Sequence, residues 1–229
     1  MKLLYLILTL SLTASSLVSA RTINWGSAVS SSLYDSTGAA LDDSYSFELG
    51  TFGSFVPTEF NMTDWLTNWK AFDRATAPAA NGWNSGVGYF TSSATLLTDG
   101  TSSEVGTWSL PSHLFAANEQ GFIWAYNTQT LAPFTTEWAL FTNGFDGNAA
   151  DDWLFPSTSD QTGLPLDWRL TEATFTPFGA INDTQGPGDY SVNPGTLDLQ
   201  THITPIPEPG SALLVALTGG LTLLRRRRP

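Results

Sequence analysis

Six stretches of this 229-residue chain alternate polar and apolar side chains, and each lies between turn signals. They are residues 44–49 (Ser-Tyr-Ser-Phe-Glu-Leu), 89–97, 122–126, 136–141, 172–178 and 196–203. Period-two alternation rich in β-branched and aromatic residues puts one side of an extended strand in a core and the other toward water. Between the stretches fall Asn81-Gly82, Asp99-Gly100, Asn143-Gly144, Asp146-Gly147 and Gly186-Pro187-Gly188. Such sequences reverse the chain. Many short strands, frequent turns and few helical patterns predict an all-β fold, a single antiparallel β-sandwich of jelly-roll-like form. One short helix is expected over residues 64–72. Thr63 is its N-cap, and Asp64 favours the helix N-terminus. Trp65, Trp69 and Phe72 then fall at i, i+4 and i+7, one apolar face that covers an open end of the sheet. The functional alternative for these rings is an exposed platform for sugars.

The two ends of the chain differ from its middle. Lys2 precedes an apolar stretch over residues 3–12, and a short polar region ends in Val18-Ser19-Ala20. A positive start, an apolar centre and small residues before the cut make a secretory signal peptide, residues 1–20. Near the other end, Pro207-Glu208-Pro209 and Gly210 precede a 14-residue apolar run over 211–224, then Arg225, Arg226, Arg227 and Arg228, and a final Pro229. A helix of that run covers about 21 Å at ~1.5 Å per residue, against a hydrocarbon core of ~30 Å. Arginine stems reaching to the headgroups extend it to a short transmembrane helix. The arginines hold the tail in the cytoplasm, so residues 21–206 lie outside. That region divides into an exported domain, 21–203, and a linker, 204–206.

Pro-Glu-Pro, a short apolar helix and a terminal arginine cluster, in that order, resemble the sorting tail of PEP-CTERM proteins of Gram-negative bacteria. The resemblance covers residues 207–229 and rests on Pro207, Glu208, Pro209, Ser211 and Arg225 to Arg228. Gly210 between motif and serine, and Pro229 after the arginines, depart slightly from the usual pattern. The resemblance implies an exosortase substrate, delivered by the secretion machinery, held in the membrane by the helix and cut near Pro-Glu-Pro. It also implies a biofilm or exopolysaccharide setting, at the cell surface or in the extracellular matrix. Within the domain, 121–127 (Gly-Phe-Ile-Trp-Ala-Tyr-Asn), 137–140 (Glu-Trp-Ala-Leu) and 153–156 (Trp-Leu-Phe-Pro) resemble exported PEP-CTERM proteins of undefined activity, and carry no catalytic residue across.

Composition narrows the chemistry. The chain has no cysteine, which excludes disulfides, thiolate metal sites and thiol catalysis. Residues 21–206 hold four basic and twenty acidic side chains, a net charge of −16. Nucleic acid needs cationic contacts to phosphate, so it is not an expected partner. The acidity suits a solvated surface or uptake of divalent cations. All nine tryptophans lie between Trp25 and Trp168, enough aromatic bulk to fill a core without disulfides.

No motif names a reaction. The two histidines, His113 and His202, have no Gly-x-Ser-x-Gly elbow to serve, and too few nitrogen ligands are present for zinc. Glu59, Glu104, Glu119, Glu137 and Glu172 qualify for glycoside hydrolysis by residue type only. The densest oxygen-ligand segment is 146–152 (Asp-Gly-Asn-Ala-Ala-Asp-Asp), with Asp146, Asp151 and Asp152 as calcium ligands by type. Its spacing is neither an EF-hand nor a nonapeptide repeat, so the plainer reading is a solvated hairpin loop. Trp83, beside Asn81-Gly82, and Trp108 are the tryptophans expected on loops and open to a sugar ring. Trp124 and Trp138 sit in strand patterns and are expected inside. The sequence therefore predicts a non-enzymatic, structural or adhesive component of the envelope or biofilm. The alternative is a carbohydrate-binding, lectin-like module for exopolysaccharide, and after it a glycoside hydrolase.

Overall fold

The structure, a computed structural model, describes residues 20–104, 113–132, 134–160 and 163–204. Its strands are β1 (Arg21–Gly26), β2 (Leu33–Tyr34), β3 (Ser46–Thr51), β4 (Lys70–Thr76), β5 (Trp83–Asn84), β6 (Tyr89–Leu96) and β7 (Gly121–Tyr126). They continue with β8 (Glu137–Thr142), β9 (Leu166–Arg169), β10 (Phe175–Phe178), β11 (Ala180–Ile181), β12 (Thr184–Gln185), β13 (Leu199–Gln200) and β14 (His202–Ile203). One α-helical turn, α1, spans Trp65–Asn68. Three sheets form. A large one runs β10-β8-β7-β3-β4, with β14 also on β8; the others run β5-β6-β1-β9 and β12-β11-β13-β2.

The fold is mostly β with one short helix, as expected, but the sheets are open and mixed rather than antiparallel throughout. β1 pairs parallel with β9, and β13 parallel with β2. Alternation marks a strand's faces without marking its partner's direction, so a long crossover such as that from β1 to β9 leaves no local trace. Among the described residues no helix is long and apolar enough to cross a membrane. The signal segment, except Ala20, and the sorting tail 207–229 lie outside the described residues.

The large sheet is buried on both faces. On one side Phe47 and Leu49 of β3, Phe72 and Ala75 of β4, Ile123 and Ala125 of β7, and Phe141 of β8 meet Ile23, Trp25, Phe90, Ala94 and Trp168 of the β5-β6-β1-β9 sheet. That is a core shared by two sheets, with Phe47 stacked on Phe90 at 4.0 Å between ring centroids. On the other side Trp124, Tyr126, Trp138, Leu140 and Phe178 meet Phe52, Met62, Trp65 and Trp69. α1 and its flanking loops therefore cover a sheet face. This explains why all six residues of β7 are buried: with apolar cover on both sides, every position of a central strand loses water.

The helix over 64–72 is corrected. A 3-10 turn at Met62–Asp64 leads into α1, which stops at Asn68, and Trp69 is already extended at ψ 133. Thr63 lies inside the 3-10 turn and caps nothing. Residues 70–76 pair with β3 instead. Trp65 and Trp69 do share a cluster, but Phe72 points into the opposite one. The ladder to β3 outweighs the weak propensity of a one-turn helix. Their register shifts between Leu49 and Gly50. A Cβ at Gly50 would lie 2.3 Å from the Lys70 carbonyl oxygen, so the closeness of β4 there requires glycine.

Candidate functional site

The three expected cation ligands come together. β8 ends at Thr142, and the chain leaves through Asn143, passes Asp146, and returns at Trp153. Trp153 N–H donates to the Asn143 carbonyl at 2.9 Å, and Asn143 Nδ2 donates to the Asp151 carbonyl at 2.9 Å. The Gln120 amide donates to the Asn143 and Trp153 carbonyls at 3.0 and 3.1 Å, tying the base of the loop to the start of β7. At the tip Asp146 Oδ1 accepts from Asn148 N–H at 2.8 Å, and Gly147 takes φ 90. Within this frame one carboxylate oxygen each from Asp146, Asp151 and Asp152 lie within 4.8 Å of one another.

That spacing suits calcium. At ~2.3–2.6 Å from the ion, two ligand oxygens stand at most about 5 Å apart. Asp146 and Asp151 are exposed and Asp152 is half-buried. Asp152 Oδ1 is buried without a hydrogen-bond partner. Partial burial, and then the negative charges of Asp146 and Asp151, raise the Asp152 carboxyl above its ordinary pKa. Three carboxylates are fewer than the ~6–8 oxygens calcium takes, so carbonyls or water would complete the shell. Millimolar calcium is expected to raise the melting temperature by binding the folded state. Asp151→Asn with Asp152→Asn should abolish the rise, and a parent melting temperature indifferent to calcium would leave the segment a plain loop.

A groove of about 440 Å³ adjoins the loop, lined by Asn143, Asp151, Asp152, Asp167, Glu172 and Thr174 above Trp153 and Trp168. The two indoles stack at 5.8 Å and 11°. Trp168 packs over Gly121, where a Cβ would meet its ring at 2.5 Å. At the groove's edge Thr174 Oγ1 lies 2.9 Å from Asn143 Oδ1 and accepts from Gly144 N–H at 3.1 Å. Just beyond, Phe145 and Phe175 form an exposed ring pair, 5.1 Å between centroids. Neither phenylalanine, nor this groove, was singled out from the sequence. The available sign was an apolar ring between Gly144 and Asp146, inside a turn segment.

The expected sugar-facing tryptophan is corrected. Trp83 has no exposed surface: β5 pairs it with Phe90 of β6, its indole N–H donates to the Asp42 carbonyl at 2.9 Å, and its ring packs on Phe47 at 5.0 Å. No face is left for a sugar. Two residues of pairing suffice to draw a turn-flanked tryptophan into the core between the sheets. Trp108 lies outside the described residues, as do Pro207, Glu208, Pro209 and Arg225 to Arg228.

Of the remaining polar candidates, Glu137, Glu172, Glu119, His113 and His202 make contacts within the fold. Glu137 accepts from Ser36 Oγ, Tyr45 Oη and Thr201 Oγ1 at 2.6, 2.7 and 2.8 Å, joining distant segments. Glu172 accepts from Arg169 N–H in a capping box, and Glu119 lies 3.3 Å from His113 Nε2. His202 is fully buried, with Nδ1 donating to the Pro187 carbonyl at 2.8 Å. Glu59 is half-buried near the 3-10 turn. Glu104 shares a second cavity of about 350 Å³ with Asp73, Arg74, Asn81 and Ser92. Burial pushes the Asp73 carboxyl above its ordinary pKa, yet its oxygens are engaged by Trp25 Nε1–H at 2.7 Å and Arg74 N–H at 2.8 Å. No family model, no curated protein and no solved structure matches the chain.

Proposed function

We propose that this chain is an exported, non-enzymatic protein of the cell envelope or extracellular matrix, delivered as an exosortase substrate through its PEP-CTERM-like tail and acting in structure or adhesion. The observation that carries the choice of role is the fate of the tryptophans. Trp25, Trp65, Trp69, Trp83, Trp124, Trp138, Trp153 and Trp168, all those among the described residues, are at most 5% exposed. A lectin that grips sugars on tryptophan faces keeps those faces in water. Here they fill two cores, and the aromatic wealth supports a rigid disulfide-free body suited to life outside the cell. The strongly acidic surface keeps such a body soluble and suits a polymer matrix.

Processing tests the reading. The protein recovered from the matrix of the producing bacterium is expected to give an intact mass lacking residues 1–20 and the arginine cluster. A full-length chain confined to the cell interior would overturn it.

A further inference from the structure

We propose that Asp146–Gly147 is a site of covalent self-modification, where the folded protein converts Asp146 to isoaspartate while three similar pairs elsewhere in the chain stay intact.

Four places in the sequence put Asp or Asn before a glycine: Asn81-Gly82, Asp99-Gly100, Asn143-Gly144 and Asp146-Gly147. Glycine has no Cβ to crowd an attack by its backbone nitrogen on the preceding side chain. The attack asks three things of the fold. The glycine nitrogen must be free of an acceptor, the side-chain carbon must lie close to it, and a five-membered ring must have room to close. Among the described residues one pair meets all three.

At the other three pairs the nitrogen is engaged. Gly82 N–H donates to the Ala79 carbonyl at 3.1 Å, Gly100 N–H to the Leu97 carbonyl at 2.9 Å and Gly144 N–H to Thr174 Oγ1 at 3.1 Å. Space is short as well. A Cβ at Gly82 would lie 2.4 Å from the Thr91 carbonyl oxygen, one at Gly144 would lie 3.0 Å from the Gln120 amide, and Gly100 is buried. Two of the side chains are also restrained. Asn143 is buried, with Nδ2 donating to the Asp151 carbonyl and Oδ1 accepting from Thr174 Oγ1, both at 2.9 Å. Asp99 Oδ1 accepts from Thr101 Oγ1 at 2.6 Å and Thr101 N–H at 2.9 Å. Those bonds hold the Asp99 carboxyl below its ordinary pKa, in the anionic form that resists attack.

Asp146–Gly147 stands open at the tip of its loop. Gly147 is exposed at φ 90, its N–H makes no hydrogen bond, and nothing lies within 4 Å of the place a Cβ would take. Asp146 is exposed too, and its Oδ1 accepts from Asn148 N–H at 2.8 Å. A bond reaching two residues on folds the carboxyl back across the Gly147 peptide unit and brings Cγ toward the Gly147 nitrogen.

The first step is a dehydration. With the Asp146 carboxyl neutral, the Gly147 nitrogen bonds to Cγ and loses its proton, and the Cγ hydroxyl leaves as water, closing a succinimide. Water then adds to one of the two imide carbonyls. Opening at Cγ restores aspartate. Opening at the Asp146 main-chain carbonyl breaks the old peptide bond and leaves the chain running through Cβ and Cγ. The water lost is regained, so the mass is unchanged, and the reaction needs no oxidant or cofactor. The backbone is then one methylene longer and the free carboxylate sits on Cα. Asp146 thereby loses the placement that puts its oxygen within 4.8 Å of those of Asp151 and Asp152.

The test ages the purified native protein for weeks in mildly acidic buffer at physiological temperature, beside the same protein unfolded in guanidinium. Peptide mapping with electron-transfer fragmentation separates isoaspartate from aspartate at equal mass, and reads deamidation of Asn81 and Asn143 as a mass gain. In the native protein, isoaspartate is expected to form at residue 146 about tenfold faster than at residue 99, with Asn81 and Asn143 unchanged. In the unfolded protein the order should invert, with Asn81 and Asn143 reacting first, because an amide is the better electrophile once no fold protects it. Gly147→Ala should slow the native reaction about tenfold. Should alanine disturb a loop held at positive φ, Asp146→Asn is the second variant, and position 146 should then deamidate before Asn81 in the same folded molecule. Equal native rates at 146 and 99 would overturn the proposal, since sequence alone would then set them. So would Asn81 reacting ahead of position 146 in the second variant, or a native residue 146 that stays aspartate while the unfolded chain converts it.

Discussion

Glu48→Ala is expected to lower the unfolding free energy by about 3–5 kcal/mol, the range for breaking a buried ion pair from one side. Glu48 sits in β3 with no exposed surface, on the face toward α1. Its Oε1 accepts from Arg74 Nε at 2.6 Å and from Tyr126 Oη at 2.9 Å, and Arg74 Nη2 closes the ion pair on the same oxygen. Its Oε2 accepts from Trp69 Nε1 at 2.7 Å and Gln129 Nε2 at 2.8 Å. One carboxylate thus serves four side chains, from β4, the segment before it, the end of β7 and the loop that follows β7. Alanine would leave the Trp69 and Tyr126 donors buried without an acceptor and a guanidinium without its counter-ion. Arg74 keeps some access to water, its side chain being 25% exposed, which favours the lower part of the range. Glu48→Gln keeps one oxygen acceptor and should cost less than alanine. Urea unfolding with an unchanged m-value would measure both. A loss under about 1 kcal/mol for alanine would show that the network adds nothing beyond its desolvation cost.

Trp124→Ala should cost a similar amount, about 3–5 kcal/mol, through the cavity it leaves. Trp124 is fully buried and central to the second core, edge-on to Trp65, Trp69 and Trp138 at 5.9, 5.5 and 4.8 Å and to Tyr126 at 5.5 Å. Three indoles and a phenol would lose a shared neighbour at once. Trp124→Phe separates volume from polarity. The Trp124 indole N–H is buried with no acceptor, so phenylalanine removes an unsatisfied donor along with part of the ring. It should therefore cost much less than alanine. Equal losses for Phe and Ala would mean that the N–H has a partner, such as an ordered water, that stabilises it.

The strands that alternation marked are the ones whose two faces differ chemically. The readings at 44–49, 89–97, 122–126 and 136–141 correspond to β3, β6, β7 and β8 within a few residues. The reading at 172–178 contracts to β10, because residues 170–172 form a 3-10 turn, and 196–203 divides into β13 and β14. Turn chemistry was equally local: Gly82, Gly100, Gly147 and Gly188 all adopt positive φ where dipeptide signals stood. β1 goes unmarked because its short alternation directly follows the signal segment, and β4 because aromatic spacing suggests a helix there.

Composition and local pattern by themselves determined that this chain is rich in strands, free of disulfides, acidic in its middle and furnished with aromatic bulk for a core. These follow from side-chain chemistry that each residue carries wherever it lies. Tertiary structure alone decided which aromatic rings the core would take. Trp83 was drawn in by pairing with β6, while Phe145 and Phe175 were left out at the sheet's edge. It also decided that Asp146, Asp151 and Asp152 converge. Sequence supplied their carboxylates, but the distance between them depends on how the Asn143–Trp153 bond closes the loop and on Gln120, an anchor from β7's approach. Parallel pairing of β1 with β9 likewise joins residues more than 140 positions apart. Such contacts are set by how faces fit once the chain has collapsed, and no window of neighbouring residues contains that information.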